Sequence, residues 1–404
     1  MGEGEKVVKQ IGDQEGDFRG VKGVSFRNEK GEIERNLPVE LLTEEEFDAL
    51  PYPKWDLAAF EQVYFPNSSL ALSRESLLCR RRIDIEGTRG CPFICNFCTD
   101  VMVGQSRTGY QYREKFRVHK PSYVADMIAK ARFKLGIDFV LFVDENFDTN
   151  RKWVSDLCDA LEERDLVGLI HWGATAHVNT VTPELLARMK ECGCAYLDFG
   201  MESGSDPILR YIKKNATRQR NQQALDWSLR TGINPLTNFM MGQPIETMQT
   251  VYDTASFVTK NGIIVKPFYA TPYPATELYY TQMPKILAKY GTLEKFMERL
   301  GDATELVINL TKYNDVELLG LRELVAAHDL AGIIAFAKTK GERIADPDTG
   351  QELVSGPLVD PEKPVPLQQL RMLEDRDYGM QTEWIKNLQQ ELAAGGKALV
   401  ASAP

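Results

Sequence analysis

Hydrophobic positions between residues 82 and 272 fall into short continuous runs, separated by longer stretches of helical period. "RIDIEGT" (82–88), "FVLFVD" (139–144), "LIHWGATAH" (169–177), "AYLDFGME" (195–202), "NPLTNFMMG" (234–242) and "VKPFYAT" (265–271) read as strands. A continuous apolar run such as 139–143 is what a strand buried on both faces of a parallel sheet needs. Between these runs, "RKWVSDLCDALEERD", "TPELLARMKECG" and "ETMQTVYDTASFVTKNG" have helical spacing. The last two end in Gly193 and Gly262, which suit the left-handed residue that follows a helix. Six strands alternating with helices predict parallel pairing and right-handed crossovers. The unit is an open doubly wound sheet or a partial barrel, and in both cases ligands gather at the carboxyl ends of the strands.

The flanks are patterned differently. Within residues 1–80, alternating Val21, Gly23 or Val24, and Phe26, a turn at Lys30-Gly31 and then Ile33 predict a β-hairpin. Pro51 and Pro53 mark a connecting segment. Past about residue 280 the strand signal stops, and "PKILAKYGTLEKFMERLG" and "DVELLGLRELVAAHDLAGIIAFAKT" are helical in period. "ERIADPDTGQELVSGPLVDPEKPVP" is rich in turn formers and reads as an irregular surface excursion. "AAGGKALVASAP" reads as a disordered tail. The expected organisation is a hairpin-and-linker segment (1–80), an α/β unit (81–280) and a mainly helical region with its tail (281–404).

Composition narrows the function. The 404 residues carry a formal charge of −10, which argues against a nucleic-acid-binding surface. The basic runs Arg80–Arg82 and Lys213–Arg220 read as solvated faces, with phosphate binding as the alternative. No run of eighteen apolar residues spans a membrane, and the charged N-terminus is no signal peptide. Seven cysteines without a secretory signal favour reduced thiols in a cytoplasm.

Three of those cysteines carry the chemistry. "RGCPFICNFCTD" (89–100) places Cys91, Cys95 and Cys98 in one glycine- and proline-bearing loop after the first strand. Zinc, a redox pair and an iron–sulfur cluster are the alternatives. Structural zinc wants four ligands, yet His119 lies twenty-one residues beyond Cys98 and Cys158 sixty beyond. A thioredoxin-like pair belongs to another fold. A [4Fe-4S] cluster held by three thiolates leaves one iron for a non-protein ligand.

The cysteine spacing, with Phe97 just before the last thiol, resembles the motif of the radical S-adenosylmethionine (radical SAM) superfamily. The segments "FVDENF" (142–147), "FGMESGSDPIL" (199–209), "FMMGQPIET" (239–247) and "TPYPATEL" (271–278) are similar to the cobalamin-associated branch of that family. The resemblance covers residues 82 to about 280. It implies a partial (β/α)6 barrel, with a small N-terminal hairpin and linker and a mainly helical C-terminal extension. It implies a [4Fe-4S] cluster on Cys91, Cys95 and Cys98, completed by S-adenosyl-L-methionine, which is cleaved to a 5′-deoxyadenosyl radical. Asp144, Glu145 and Asn146 take the place of the segment that holds the SAM amino group, although the family's Gly-Gly-Glu is absent. Glu202 and Ser203 are the candidates for the SAM ribose, with a helix N-terminal acid as the alternative for Glu202. The segment with Gly242, Pro244 and Glu246 reads equally well as a helix start. Ala275 stands where relatives commonly carry glycine.

Relatives in that branch usually have a cobalamin-binding Rossmann-like domain before the barrel. "GEGE" (2–5) and the hairpin resemble only its closing part, so most of that domain is expected to be missing and cobalamin to bind only with a longer N-terminus. Expected substrates are a small molecule, a tetrapyrrole or a lipid, with methyl transfer or oxidative cyclisation as the reaction. The expected electron donor is of flavodoxin or ferredoxin type. An iron–sulfur electron carrier would need a fourth protein ligand, and a non-catalytic scaffold should have lost a cluster cysteine. His171, Trp172, His177 and Tyr273 lie near strand ends and are candidates to line a pocket.

Overall fold

A computed structural model of the chain describes residues 3–37, 39–67, 76, 78–99 and 116–354. A helix, α1 (Gly4–Asp13), opens it. The hairpin follows as β1 (Ser25–Arg27) paired antiparallel with β2 (Ile33–Arg35), then a short α2 (Glu44–Asp48). Thr43 starts α2 with a capping box, its side chain accepting from Glu46 N while Glu46 accepts from Thr43 N.

The α/β unit runs through β3 (Arg82–Ile85), the small antiparallel pair β4 (Thr88–Arg89) and β5 (Arg117–Val118), α3 (Pro121–Leu135) and β6 (Phe139–Phe142). It continues with α4 (Arg151–Glu162), β7 (His171–Ala176), α5 (Pro183–Glu191) and β8 (Cys194–Glu202). Next come α6 (Asp206–Tyr211), α7 (Arg218–Thr231), β9 (Asn234–Met241), α8 (Met248–Lys260) and β10 (Phe268–Tyr269). Six strands form one parallel sheet in the order β10-β9-β8-β7-β6-β3. Each strand lies beside its predecessor, with no reversal of direction across the sheet. A doubly wound sheet requires such a reversal, so the arrangement is the partial (β/α)6 barrel.

Strand alternation decides the two faces. Val140, Phe142, Trp172, Ala174, Leu197 and Phe199 join side chains of α3, α4 and α5 in the main core. On the opposite face Phe139 and Tyr196 pack with Leu141 and Leu236 in a smaller cluster. Side-chain caps set the helix starts: Asn150 accepts from Trp153 N, and Thr182, Thr217 and Thr247 do the same for α5, α7 and α8. Gly193 and Gly262 have φ of 100° and 61°, as their places after helices require.

Beyond the barrel lie α9 (Glu277–Tyr290), α10 (Leu293–Arg299), α11 (Asp315–Ala326) and α12 (Leu330–Lys340). Two expectations need correction. Part of the stretch read as irregular is a hairpin, β11 (Ile344–Ala345) with β12 (Glu352–Val354). It is tied to α8 by Gln249, which accepts from Ala345 N and donates to Ala345 O. A turn-rich sequence hides strands this short, because pairing with a neighbour rather than propensity holds them. Not all thiols are reduced either: Cys158 of α4 and Cys192 after α5 are paired as a disulfide, with Cα atoms 5.6 Å apart. The expected tail lies outside the described residues. No helix among the described residues is long and apolar enough to cross a membrane.

Candidate functional site

The cysteine loop is pinned at both ends. After β3 the chain turns at Gly87, where a Cβ would come within 2.8 Å of Trp153 Cη2. Two residues past the end of neighbouring β6, Asp144 Oδ1 accepts from Gly87 N at 3.0 Å and from Thr88 N. Glu145 Oε2 accepts from Gly90 N at 2.9 Å. Asp144 is 2% exposed. Burial pushes its carboxyl up to about 7, against the N–H bonds that favour the carboxylate. Arg89, just before the cysteines, is held by Glu86, Glu3 and Glu5, and Glu3 also pairs with buried Arg117 at 2.6 Å.

At the far end, Asn96 donates from its backbone to Ile212 O (3.0 Å) and from its side chain to Tyr211 O (2.9 Å). Leu278 N, in the first turn of α9, donates to Asn96 O at 2.9 Å. Phe97 packs between the Ile208–Leu209–Ile212 cluster and the cluster around Ala270 and Leu278. Cys91 and Cys95 stand between these anchors and Cys98 directly follows them, with Cys95 buried and Cys91 and Cys98 half-buried.

A buried cation faces them. Lys214 Nζ lies 3.1 Å from Glu202 Oε1. Although burial opposes its charge, Glu202 and the thiols of Cys95 and Cys91 hold its pKa above the ordinary lysine value. Burial pushes the Cys95 thiol up to about 11, against the pull of Lys214. Sequence reasoning missed Lys214, because nothing local separates it from Lys213. Yet Lys213 pairs with Glu277 on the surface, its side chain 43% exposed against 10% for Lys214.

Glu202 closes β8 at φ 62°, and the strand leaves room for the ion pair at Gly200. A Cβ there would come 2.5 Å from Glu202 Oε1 and 2.9 Å from Lys214 Nζ. Ser203 turns the other way. Its Oγ bonds Thr254 Oγ1 at 2.9 Å and accepts from Ser205 N, so it shapes the turn into α6. Asn146 is 2% exposed, and neither its side-chain oxygen nor its nitrogen has a partner among the described residues. Glu246 accepts from Gly242 N and Gln243 N and from the Thr250 hydroxyl, which is the work of a helix start.

The pocket candidates separate. His177 lies just past β7, its ring stacked on Phe93 of the cysteine loop at 3.7 Å and bonded to Lys214 O at 3.0 Å. Trp172 is buried on the helix side and donates to Cys192 O. His171 begins β7, at the end of the sheet away from the cysteines. The Tyr273 hydroxyl is taken up by Gly301 O at 3.0 Å.

Among the described residues no three His, Cys, Asp or Glu side chains converge closely enough to hold a single metal ion. A cluster does not ask for that, since it spreads its thiolates over separate irons. The donor set fits one: three thiols in one loop, backbone N–H groups nearby and a buried cation to offset thiolate charge.

The pattern that defines the Radical SAM superfamily matches residues 85–258. The chain is 29% identical over 307 residues to an uncharacterized methyltransferase of Pyrococcus horikoshii, a match covering 74% of this chain and 61% of that protein. It is 24% identical over 326 residues to the anaerobic magnesium-protoporphyrin IX monomethyl ester cyclase of Rubrivivax gelatinosus, covering 78% and 51%. Its fold is similar to that of the radical S-adenosylmethionine methyltransferase TsrM from Kitasatospora setae, solved with cobalamin and a [4Fe-4S] cluster bound. That match has a TM-score of 0.50 at 15% identity and covers 69% of this chain and 52% of the other. The chain thus spans about half to three-fifths of the length of these relatives.

Proposed function

We propose that this chain, whose residues 85–258 match the radical SAM family, holds a [4Fe-4S] cluster on Cys91, Cys95 and Cys98 and binds S-adenosyl-L-methionine beside it. The bound group supplies one-electron cleavage of SAM to a 5′-deoxyadenosyl radical, or methyl transfer where a corrin is also present. The observation that carries this reading is the three-thiol loop, inside the matched region, anchored at both ends and facing Lys214 and Glu202.

Each named residue then has a task. Asp144 and Glu145 hold the backbone N–H groups of the loop. Asn146, buried with both side-chain polar atoms unpaired among the described residues, is the member of that segment left to meet the SAM amino group. Glu202 accepts from the ribose hydroxyls, and Ser203 sets the turn that presents it. Phe97 fixes the loop between two apolar clusters.

Methyl transfer or oxidative ring closure on a small molecule, tetrapyrrole or lipid is the proposed reaction, with a flavodoxin- or ferredoxin-type protein as electron donor. A corrin is proposed to need a binding surface other than residues 3–67. Residues 3–67, with Pro38 outside the description, carry a ten-residue helix and a two-strand hairpin and form no Rossmann-like crevice. An electron carrier is not favoured, because a fourth thiol is wanting: Cys79 and Cys194 are packed in apolar clusters and Cys158 and Cys192 are paired.

Anaerobic reconstitution tests the cluster and should load about four irons and four sulfides per chain. Cys91→Ala, Cys95→Ala and Cys98→Ala should each lose that stoichiometry, and Cys79→Ala and Cys194→Ala should keep it. The loaded, reduced chain should form 5′-deoxyadenosine slowly without substrate. A full complement of iron in Cys95→Ala would sink the ligand assignment.

A further inference from the structure

The face of the sheet turned away from the helices carries a polar row that the cluster and SAM leave without a task. Leu197, Phe199 and Met201 of β8 enter the helix-side core, so Tyr196, Asp198 and Gly200 face the other side. Thr175 of β7 is in register with Asp198. From β9, Asn238 Nδ2 donates to Asp198 Oδ1 at 2.8 Å.

Asp198 is half-buried and forms no ion pair among the described residues. Burial raises its pKa, and the Glu202 carboxylate, two rungs nearer the cysteines, adds to the rise. One rung the other way, Tyr196 is 2% exposed and its hydroxyl has no partner among the described residues. That hydroxyl is close enough to Arg82 and Asp198 to feel both charges. Two glycines keep the row clear. A Cβ at Gly173 would overlap the Tyr196 ring, and one at Gly200 would strike Glu202 and Lys214. Leu141 and Leu236 supply apolar surface beside it.

A carboxylate has about four acceptor sites, and here one neutral N–H meets them. Sinking that charge half out of water is costly unless a cation or strong donor arrives to meet it. We infer that Asp198, with Asn238 and the Tyr196 hydroxyl, selects the substrate by receiving a protonated amine carried on an otherwise apolar molecule. This rests on the radical SAM reading in taking the helix-free face as the substrate side, and it adds the substrate's chemistry. A substrate that presents a carboxylate to this row is repelled.

The test titrates n-hexylamine, n-hexanol and sodium hexanoate calorimetrically into the full 404-residue chain. Hexylammonium should bind about ten-fold or more tighter than hexanol, the size of one charge-assisted hydrogen bond, and hexanoate weakest. Asp198→Asn should erase the preference, whereas Asp156→Asn, at a surface acid of α4 paired with Lys152, should keep it. If Asp198→Asn does not fold, Asn238→Lys, which tethers a competing ammonium, should erase it instead. No measurable hexylamine binding, a preference that survives both variants that fold, or hexanoate binding as tightly as hexylamine overturns the inference. SAM cleavage by the unaltered, reconstituted chain is measured alongside. Amine preference without 5′-deoxyadenosine sinks the radical SAM reading alone, and cleavage without amine preference sinks the substrate inference alone.

Discussion

Lys214 Nζ stands 3.1 Å from Glu202 Oε1, with the two side chains 10% and 11% exposed. Removing one partner strands a buried charge, so Lys214→Met should cost about 3–5 kcal/mol. The double variant with Glu202→Gln should cost much less than the two singles together, with a coupling of about 1–3 kcal/mol in urea melts. Glu202→Gln alone should also weaken SAM binding, roughly ten- to a hundred-fold, by losing a charge-assisted bond. Additive losses and an unchanged SAM affinity would leave Glu202 as an acid that merely ends a strand.

Asp144 ties the β6 end to the start of the cysteine loop. Asp144→Ala leaves the N–H groups of Gly87 and Thr88 without their acceptor, at about 1–3 kcal/mol for each stranded donor. Iron retained after reconstitution should fall along with the urea midpoint. An unchanged midpoint with full iron would show that the loop keeps its shape unaided.

Ala275 sits at φ 71°, in the left-handed region where a Cβ is strained. Ala275→Gly relieves that strain, and the extra freedom of the unfolded chain offsets part of the gain. A net stabilisation of about 0.5–1 kcal/mol is expected, read as a higher Tm. A lower Tm would mean that the methyl group packs better than its backbone suffers.

Two buried histidines set an acid limit. Burial holds His119, stacked on Phe47 at 3.9 Å, down to about 4, with Asp48 pulling the other way, and it holds His177 down to about 3. Both folded values lie below the ordinary 6.5, so the unfolded chain binds more protons between them. Stability present above about pH 6.5 is therefore lost as the pH falls toward 4, on the order of 3 kcal/mol for His119 alone. His119→Gln should flatten that limb of the stability–pH curve. A limb equally steep in the variant would assign the loss to other groups.

The sequence by itself determined the six barrel strands and their helices, because alternation and helical period are local properties of a strand or helix. It also determined the three thiols and the aromatic beside them, since that spacing lies within one loop. Which face each side chain meets depended on register, and only the tertiary structure settled it. Lys213 and Lys214 are chemically alike neighbours, yet the turn after α6 sends one to solvent and the other to Glu202. By resemblance Asp144 belongs to the segment that holds the SAM amino group, and its bonds to Gly87 and Thr88 arise only because β3 lies beside β6. Trp172 looked like a pocket residue at a strand end, but alternation within β7 points it into the helix-side core. Asp198 and Asn238, forty residues apart, share a hydrogen bond only because β8 and β9 pair in one register. Pairing across elements depends on through-space placement, to which the chain's local pattern is blind.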